Sequence, residues 1–318
     1  MKLTGQRDVR ICLVVLLSIL ISGCSSLGIT PRLQSFPQDI PRKIELVDTP
    51  FFPQQENHCG PAALATLLQH RGIATTPQDL APMTYLPGRQ GSLQIELKAT
   101  ARQQGMVVYP LSGSLDDLLR EVSAGNPVLI LQNQAFSWLP RWHYAVAVGY
   151  DLEQQHLILR SGVTRRWLSD LPSFMNTWNR ADNWAIVTLP PDLLPATAEP
   201  LPYLKAVHEL EQTDQLTIAR QAYRQAVAQW PGNATAWLAL GNSAYSGSDW
   251  PQAVEAFRRA VNLEAGNATA WNNLAYALKA EGAREEAILA IEQALSLAPD
   301  DPNLQHSARE IRSPDQHH

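Results

Sequence analysis

The stretch Asn57-His58-Cys59-Gly60-Pro61-Ala62-Ala63-Leu64 sets a cysteine directly before Gly-Pro and a run of helix formers. Proline is tolerated in the first turn of a helix, where its missing N–H has no intrahelical partner. Ala62, Leu64, Leu67 and Leu68 then recur at helical spacing as far as Gly72. The pattern predicts a helix opening at Cys59. A thiol there meets unsatisfied backbone N–H groups and the positive end of the helix dipole, which favours thiolate, the nucleophilic form. Gly60 would let a substrate backbone come close. The competing reading is a small, inert core residue; the polar neighbours Glu56, Asn57 and His58 argue against it.

A nucleophilic thiolate needs a proton carrier and an oxyanion donor. Of eight histidines, His143 heads the apolar run Tyr144 to Tyr150, where a polar side chain projects from the end of a sheet toward a cleft. The alternative role for it is a hydrogen-bonded structural imidazole. His58 adjoins Cys59 and points elsewhere, His70 ends a helix where a cation is favoured, and His156 starts the next strand. His208, His306, His317 and His318 lie outside this region. Asp151 is a tempting partner for the imidazole, but a continuous strand at about 3.3 Å per residue puts it roughly 26 Å from His143. No His, Cys or carboxylate grouping has metal-ligand spacing, so no metal or other cofactor is expected.

Around these residues, the front of the chain is helical: after the helix at Cys59, Thr76 to Ala81 and a segment capped by Ser92 and ending at Gly105. Short apolar, β-branched runs follow at 106–109, 127–132, 144–150, 156–159 and 184–189, with helices at 115–124 and 171–179 between them. Helices followed by sequential strands predict an α+β domain with an antiparallel sheet, residues 45–190. Residues 191–202 are a Pro-rich linker.

Beyond it, Asn233-Ala-Thr-Ala-Trp237 recurs as Asn267-Ala-Thr-Ala-Trp271, and Ala219, Ala253 and Ala287 keep the same step of 34 residues, as do Tyr223, Phe257 and Ile291. This resembles the tetratricopeptide repeat, in which small alanines bring paired helices together. It implies an all-α solenoid of three repeats over 203–301, with a concave surface for a peptide or partner. Residues 302–318 read as a polar tail holding at most a short capping helix.

Lys2, Arg7 and Arg10 precede the apolar run Ile11 to Ile21, too short to span a bilayer, which predicts an export signal over 1–23. Leu20-Ile21-Ser22-Gly23-Cys24 resembles the bacterial lipobox, which implies lipidation at Cys24, and Ser25 implies sorting to the outer membrane. Residues 24–44 then form a tether, with the folded part in the periplasm and the lipid as the membrane contact. Cys12 leaves with the signal and Cys24 carries lipid, so Cys59 is a single free thiol in an oxidising compartment. The net charge is −5, with 45% apolar and 17% charged residues; the charges are mixed, and no basic stripe invites nucleic acid.

Together, Pro50 to Leu68 and Trp142 to Asp151 resemble the papain-like cysteine peptidases of the bacteriocin-processing, double-glycine-leader family, nearest to its exported, repeat-bearing lipoprotein branch. The resemblance implies a papain-like fold for 45–190 and an oxyanion donor at Gln54, with Gln55 the near competitor. That family orients its histidine with an Asp-Pro pair; here Leu159-Arg160-Ser161-Gly162 stands there, and Ser161 takes the carboxylate's place. A hairpin turning at Asp151 to Gln155 brings Ser161 to Thr164 opposite His143, so a hydroxyl would hold the ring without a counter-charge. The expected function is thiol-dependent peptide hydrolysis by Cys59, His143, Gln54 and Ser161, with the repeats holding substrate or an envelope protein. The rival is a weak pseudo-peptidase acting as a peptide-binding scaffold.

Overall fold

The computed structural model describes residues 36–53, 58–86, 88 and 91–313. The export signal, Cys24, Gln54 and Gln55 lie outside the described residues. Among the described residues, seven strands form one antiparallel sheet: β1 (Lys43–Glu45), β2 (Val107–Pro110), β3 (Val128–Asn133), β4 (Trp142–Asp151), β5 (His156–Ser161), β6 (Thr164–Asp170) and β7 (Ala185–Leu189). Their order is β2-β7-β3-β4-β5-β6, with β1 paired to β4.

Helix α1 (Cys59–His70) packs Leu64, Leu67 and Leu68 on Leu129, Leu131, Val146 and Val148 of the central strands. Helices α2 (Pro77–Thr84) and α3 (Gln94–Gln103) extend that layer through Leu80 and Leu97. Strand residues alternate in direction, so Gln132 points to the opposite face. There its amide donates to Thr177 Oγ1 at 2.6 Å, on α5 (Leu171–Asn179). Helix α4 (Leu115–Ser123) buries Leu118, Leu119 and Val122, and touches β3 and β4. A strand covered on both faces is apolar without alternation, which explains the unbroken burial of Tyr144 to Asp151.

Where β4 passes β1, a Cβ on Gly149 would lie 2.5 Å from the Ile44 carbonyl oxygen. Backbone cannot yield as a side-chain tip can, so Gly149→Ala should cost about 1–3 kcal/mol, read as a lowered thermal midpoint with β1 displaced.

The chain leaves the sheet through residues 190–199, which are held rather than swinging. Thr197 donates its N–H and hydroxyl to the buried Glu121 carboxylate at 2.8 and 2.6 Å, and Tyr109 donates to the Thr197 carbonyl at 3.0 Å. The linker ends earlier than its proline content indicates. Pro200 opens a helix because proline fits the first helical turn, giving α6 (Pro200–Glu211) and its partner α7 (Leu216–Gln229). The pairs α8 (Ala234–Ser246) with α9 (Trp250–Leu263), and α10 (Ala268–Glu281) with α11 (Arg284–Leu297), follow at the 34-residue step. Ala219, Ala253 and Ala287 are fully buried, and a Cβ on Gly241 would meet the Phe257 ring at 2.5 Å. The first repeat is fixed to the sheet domain by an Arg102–Glu209 ion pair and by Gln215, whose amide donates to the Gln103 carbonyl at 3.4 Å.

One expectation is sharpened and two are corrected. The short capping helix allowed in the polar tail is the full helix α12 (Pro302–Arg312): Asp301 caps it, and Leu304, Ala308 and Ile311 bury themselves on the last repeat. That i, i+4, i+7 stripe is sparse in a polar sequence, but a repeat end with an uncovered core needs only one such stripe. Lys43–Glu45, assigned to the tether up to Ile44, is strand β1. Strand β6 was absent from the sequence reading because Thr164–Asp170, at the sheet edge, is largely exposed and carries no apolar run. Among the described residues no helix is long and apolar enough to cross a membrane.

Candidate active site

Cys59 is the first residue of α1, half-buried at the mouth of the sheet against the core. Among the described residues, no side chain caps this helix start. The backbone N–H groups of Tyr144, Gly60 and Cys59 itself all face the thiol. The Tyr144 contact is informative, because Tyr144 follows His143 on β4: the nucleophile candidate touches the residue next to the base candidate. The His143 ring is held from the other side by Ser161 at the end of β5, with Nε2 and Oγ 2.8 Å apart. Hairpin arithmetic had placed the hydroxyl there, and the register agrees, since Val146 opposes Arg160.

The electrostatics reverse one expectation. The helix start was read as favouring thiolate, yet burial pushes the Cys59 thiol above its ordinary 9.0, outweighing the three backbone N–H groups that oppose it. Desolvation penalises the charged form, and a half-buried sulfur packed against the apolar core loses more from it than amide dipoles return. His143 moves the opposite way, down to about 4, through burial first and the Arg141 cation second. Each group therefore rests neutral, Cys59 as thiol and His143 as imidazole. Ser161 accepts from Nε2–H in the tautomer that leaves Nδ1 free to take a proton, and it brings no charge to stabilise imidazolium.

That neutral burial carries a stability consequence. A histidine whose folded value lies below its unfolded 6.5 contributes stability that is complete above pH 6.5 and lost as pH falls toward about 4. The unfolding free energy should therefore fall by up to about 3 kcal/mol from pH 7 to 4, read by denaturant titration, and His143→Asn should flatten that slope. His70, lowered by burial, adds to it in the same sense.

The other sequence-derived candidates separate from this pair. His70 is structural, its nitrogens on Thr49 Oγ1 at 3.2 Å and the Gly125 carbonyl at 3.1 Å, and burial keeps it neutral rather than a helix-end cation. His58 stacks on Tyr85 with ring centroids 4.9 Å apart. Asp151 lies at the far end of β4, paired to Lys43 at 2.8 Å. Gly60 does admit a close neighbour, but it is Ser92: a Cβ there would sit 2.4 Å from Ser92 Oγ. Ser92 therefore does not cap α3; Leu93 is the N-cap, and the Ser92 carbonyl accepts from the Tyr144 phenol at 3.3 Å. Tyr144 itself was missed. Burial, with Cys59 and Glu96 beside it, raises its phenol and keeps it a neutral donor. Nothing in its sequence context marks a backbone N–H as the group that matters.

Residues 46–186 match the Peptidase_C39 like family, and residues 203–266 and 238–302 each match a tetratricopeptide repeat family. No curated protein matches the sequence. Among solved structures, the chain is similar to a crystal structure described as a C39-like peptidase from Bacillus anthracis, at 20% identity and TM-score 0.41, over 46% of this chain and 97% of that one. It is also similar to the second tetratricopeptide domain of human RPAP3, solved with an HSP70 peptide, at 16% identity and TM-score 0.35, over 36% of this chain and 97% of that one. The structure of MamA aligns at 21% identity and TM-score 0.34, over 36% of this chain and 66% of that one. At these scores none of the three decides chemistry. The chain thus joins a peptidase C39-like domain, residues 46–186, to carboxy-terminal tetratricopeptide repeats.

Proposed function

We propose that the peptidase C39-like domain hydrolyses peptide bonds through Cys59, in a protein lipid-anchored at Cys24 to the periplasmic face of a bacterial outer membrane, with the repeats holding substrate or an envelope protein. Two observations support the reading: the Cys59 thiol lies on the Tyr144 N–H at the head of β4, and His143, the preceding residue, has its ring held by Ser161 at 2.8 Å. In this mechanism Nδ1 of neutral His143 removes the thiol proton as sulfur attacks the carbonyl carbon. The Cys59 backbone N–H and the Gln54 amide receive the oxyanion. Imidazolium then protonates the leaving amine, and water, activated by the same ring, releases the acyl group from sulfur.

The neutral resting pair makes the first transfer the costly one. Burial raises the thiol and lowers the imidazole, so moving a proton from the one to the other is uphill. This same observation favours a second reading, a pseudo-peptidase that binds chain segments without turnover. Digestion of a mixed synthetic peptide library by the full chain, with product ends read by mass spectrometry, separates the two. New ends that vanish in Cys59→Ala support hydrolysis; peptides retained equally and uncut by both proteins support the scaffold.

A further inference from the structure

The end of the sheet that carries His143 and Ser161 also carries, among the described residues, the largest group of exposed apolar side chains on this domain. In the β3–β4 loop, Phe136, Trp138, Leu139 and Trp142 are 65, 78, 60 and 53% exposed. Strands alternate in direction, so the β5–β6 turn reaches the same end, and there Val163 is 79% exposed. Exposed contiguous apolar surface of this kind marks an interaction site rather than chance.

The loop is built to hold these side chains outward. Asn133 is buried, and its Oδ1 accepts from the N–H groups of Ala135 and Arg141, both at 3.0 Å. The Gln134 N–H donates to the Arg141 carbonyl at 2.9 Å, and Arg180 donates to the Asn133 carbonyl at 3.0 and 3.2 Å. At the tip, Phe136 and Trp138 stack 5.6 Å apart with planes 12° from parallel. A loop closed at its base by five hydrogen bonds presents its aromatics with little ordering entropy left to lose on binding.

Charge identifies the partner. The chain is acidic overall, net −5, yet residues 134–142 and 162–166 contain no acid and supply Arg141, Arg165 and Arg166. Arg141 and Arg165 are exposed, and Arg166 is paired with Glu45. Tryptophan, phenylalanine and leucine at the tip over an arginine base is the composition that settles at a bilayer interface, rings among the headgroups and cations on anionic lipid phosphate. From these observations we infer that this end of the sheet docks on an anionic phospholipid surface, a contact additional to the lipid at Cys24. It rests in part on the anchor reading, because the 19 residues from Cys24 to Lys43 span at most about 65 Å and keep a bilayer within reach. Docked so, the mouth of the site faces the membrane surface.

The tryptophans make this directly measurable, because all nine lie at or beyond Trp138, so emission is blind to insertion of the amino-terminal segment. The full chain is mixed with phosphatidylglycerol–phosphatidylethanolamine vesicles whose acyl chains are brominated or plain; flotation reads the anchor, and bromine quenching reads the loop. The expected result is quenched emission, with at least about half of the quenching lost in a Trp138→Phe, Trp142→Phe double variant. Phe136→Ser with Leu139→Ser, which removes no fluorophore, should likewise lower it. Equal emission in both vesicle types overturns the inference, whether or not the chain floats. Loss of cleavage of water-soluble peptides in the loop variants without any quenching assigns the patch to apolar substrate residues instead, and equally overturns it.

Discussion

Cys59→Ala is expected to abolish peptide cleavage by a factor of about 10³ or more while leaving the fold intact. The size follows from the mechanism: without sulfur there is no acyl-enzyme, and what remains is the electrostatic help of the Cys59 backbone N–H and the oriented water. The fold should tolerate the change, since sulfur is half-buried and alanine removes one atom at the surface end of α1. His143→Ala should cost nearly as much, because thiol and imidazole act as a unit and the double variant should be no worse than either single one. The measurement is kcat/KM on a library-selected peptide, with circular dichroism and thermal midpoint as controls. Residual turnover within tenfold of wild type in Cys59→Ala would remove the thiol from the chemistry.

Ser161→Asp should increase activity near neutral pH, the opposite of what substitution at a working site usually does. A carboxylate replacing a hydroxyl 2.8 Å from Nε2 supplies the charge that imidazolium lacks. An opposite charge within about 4–6 Å raises a histidine, so the value now near 4 should climb, and the proton transfer from sulfur becomes less uphill. The expected gain is about tenfold or more in kcat/KM at pH 7, with faster alkylation of Cys59 by iodoacetamide. In the wild type, alkylation should be slow at pH 6 and rise steadily through pH 9, because the thiol is held above its ordinary value. Ser161→Ala, which leaves the ring unheld, should lose about tenfold without moving the thermal midpoint much. If aspartate and alanine behave alike, Ser161 does not orient His143.

The sequence carried more of the site's layout than of its energetics. His143 and Ser161 were found because strand rise and hairpin closure are local geometry: eight residues separate His143 from Asp151 along one strand, whereas a turn near residues 151–155 folds Ser161 back to it. The helix at Cys59 and the repeats at a step of 34 were legible for a related reason, since periodicity and proline placement are written residue by residue. The thiol's protonation was misread. A helix start argues for thiolate only if water still reaches the sulfur, and the sulfur is buried against a core that includes Tyr144 of β4, remote from Cys59 along the chain.

By itself, then, the sequence determined an α+β domain followed by a helical solenoid, the helix opening at Cys59, and the hydroxyl of Ser161 facing His143. Tertiary structure alone decided that both groups rest neutral, that Gly60 abuts Ser92, and that Tyr144 presents its N–H to sulfur. Patterns fixed by near neighbours can be read along a chain; desolvation and edge pairing depend on which remote segments come to lie against a residue, and only folding sets that.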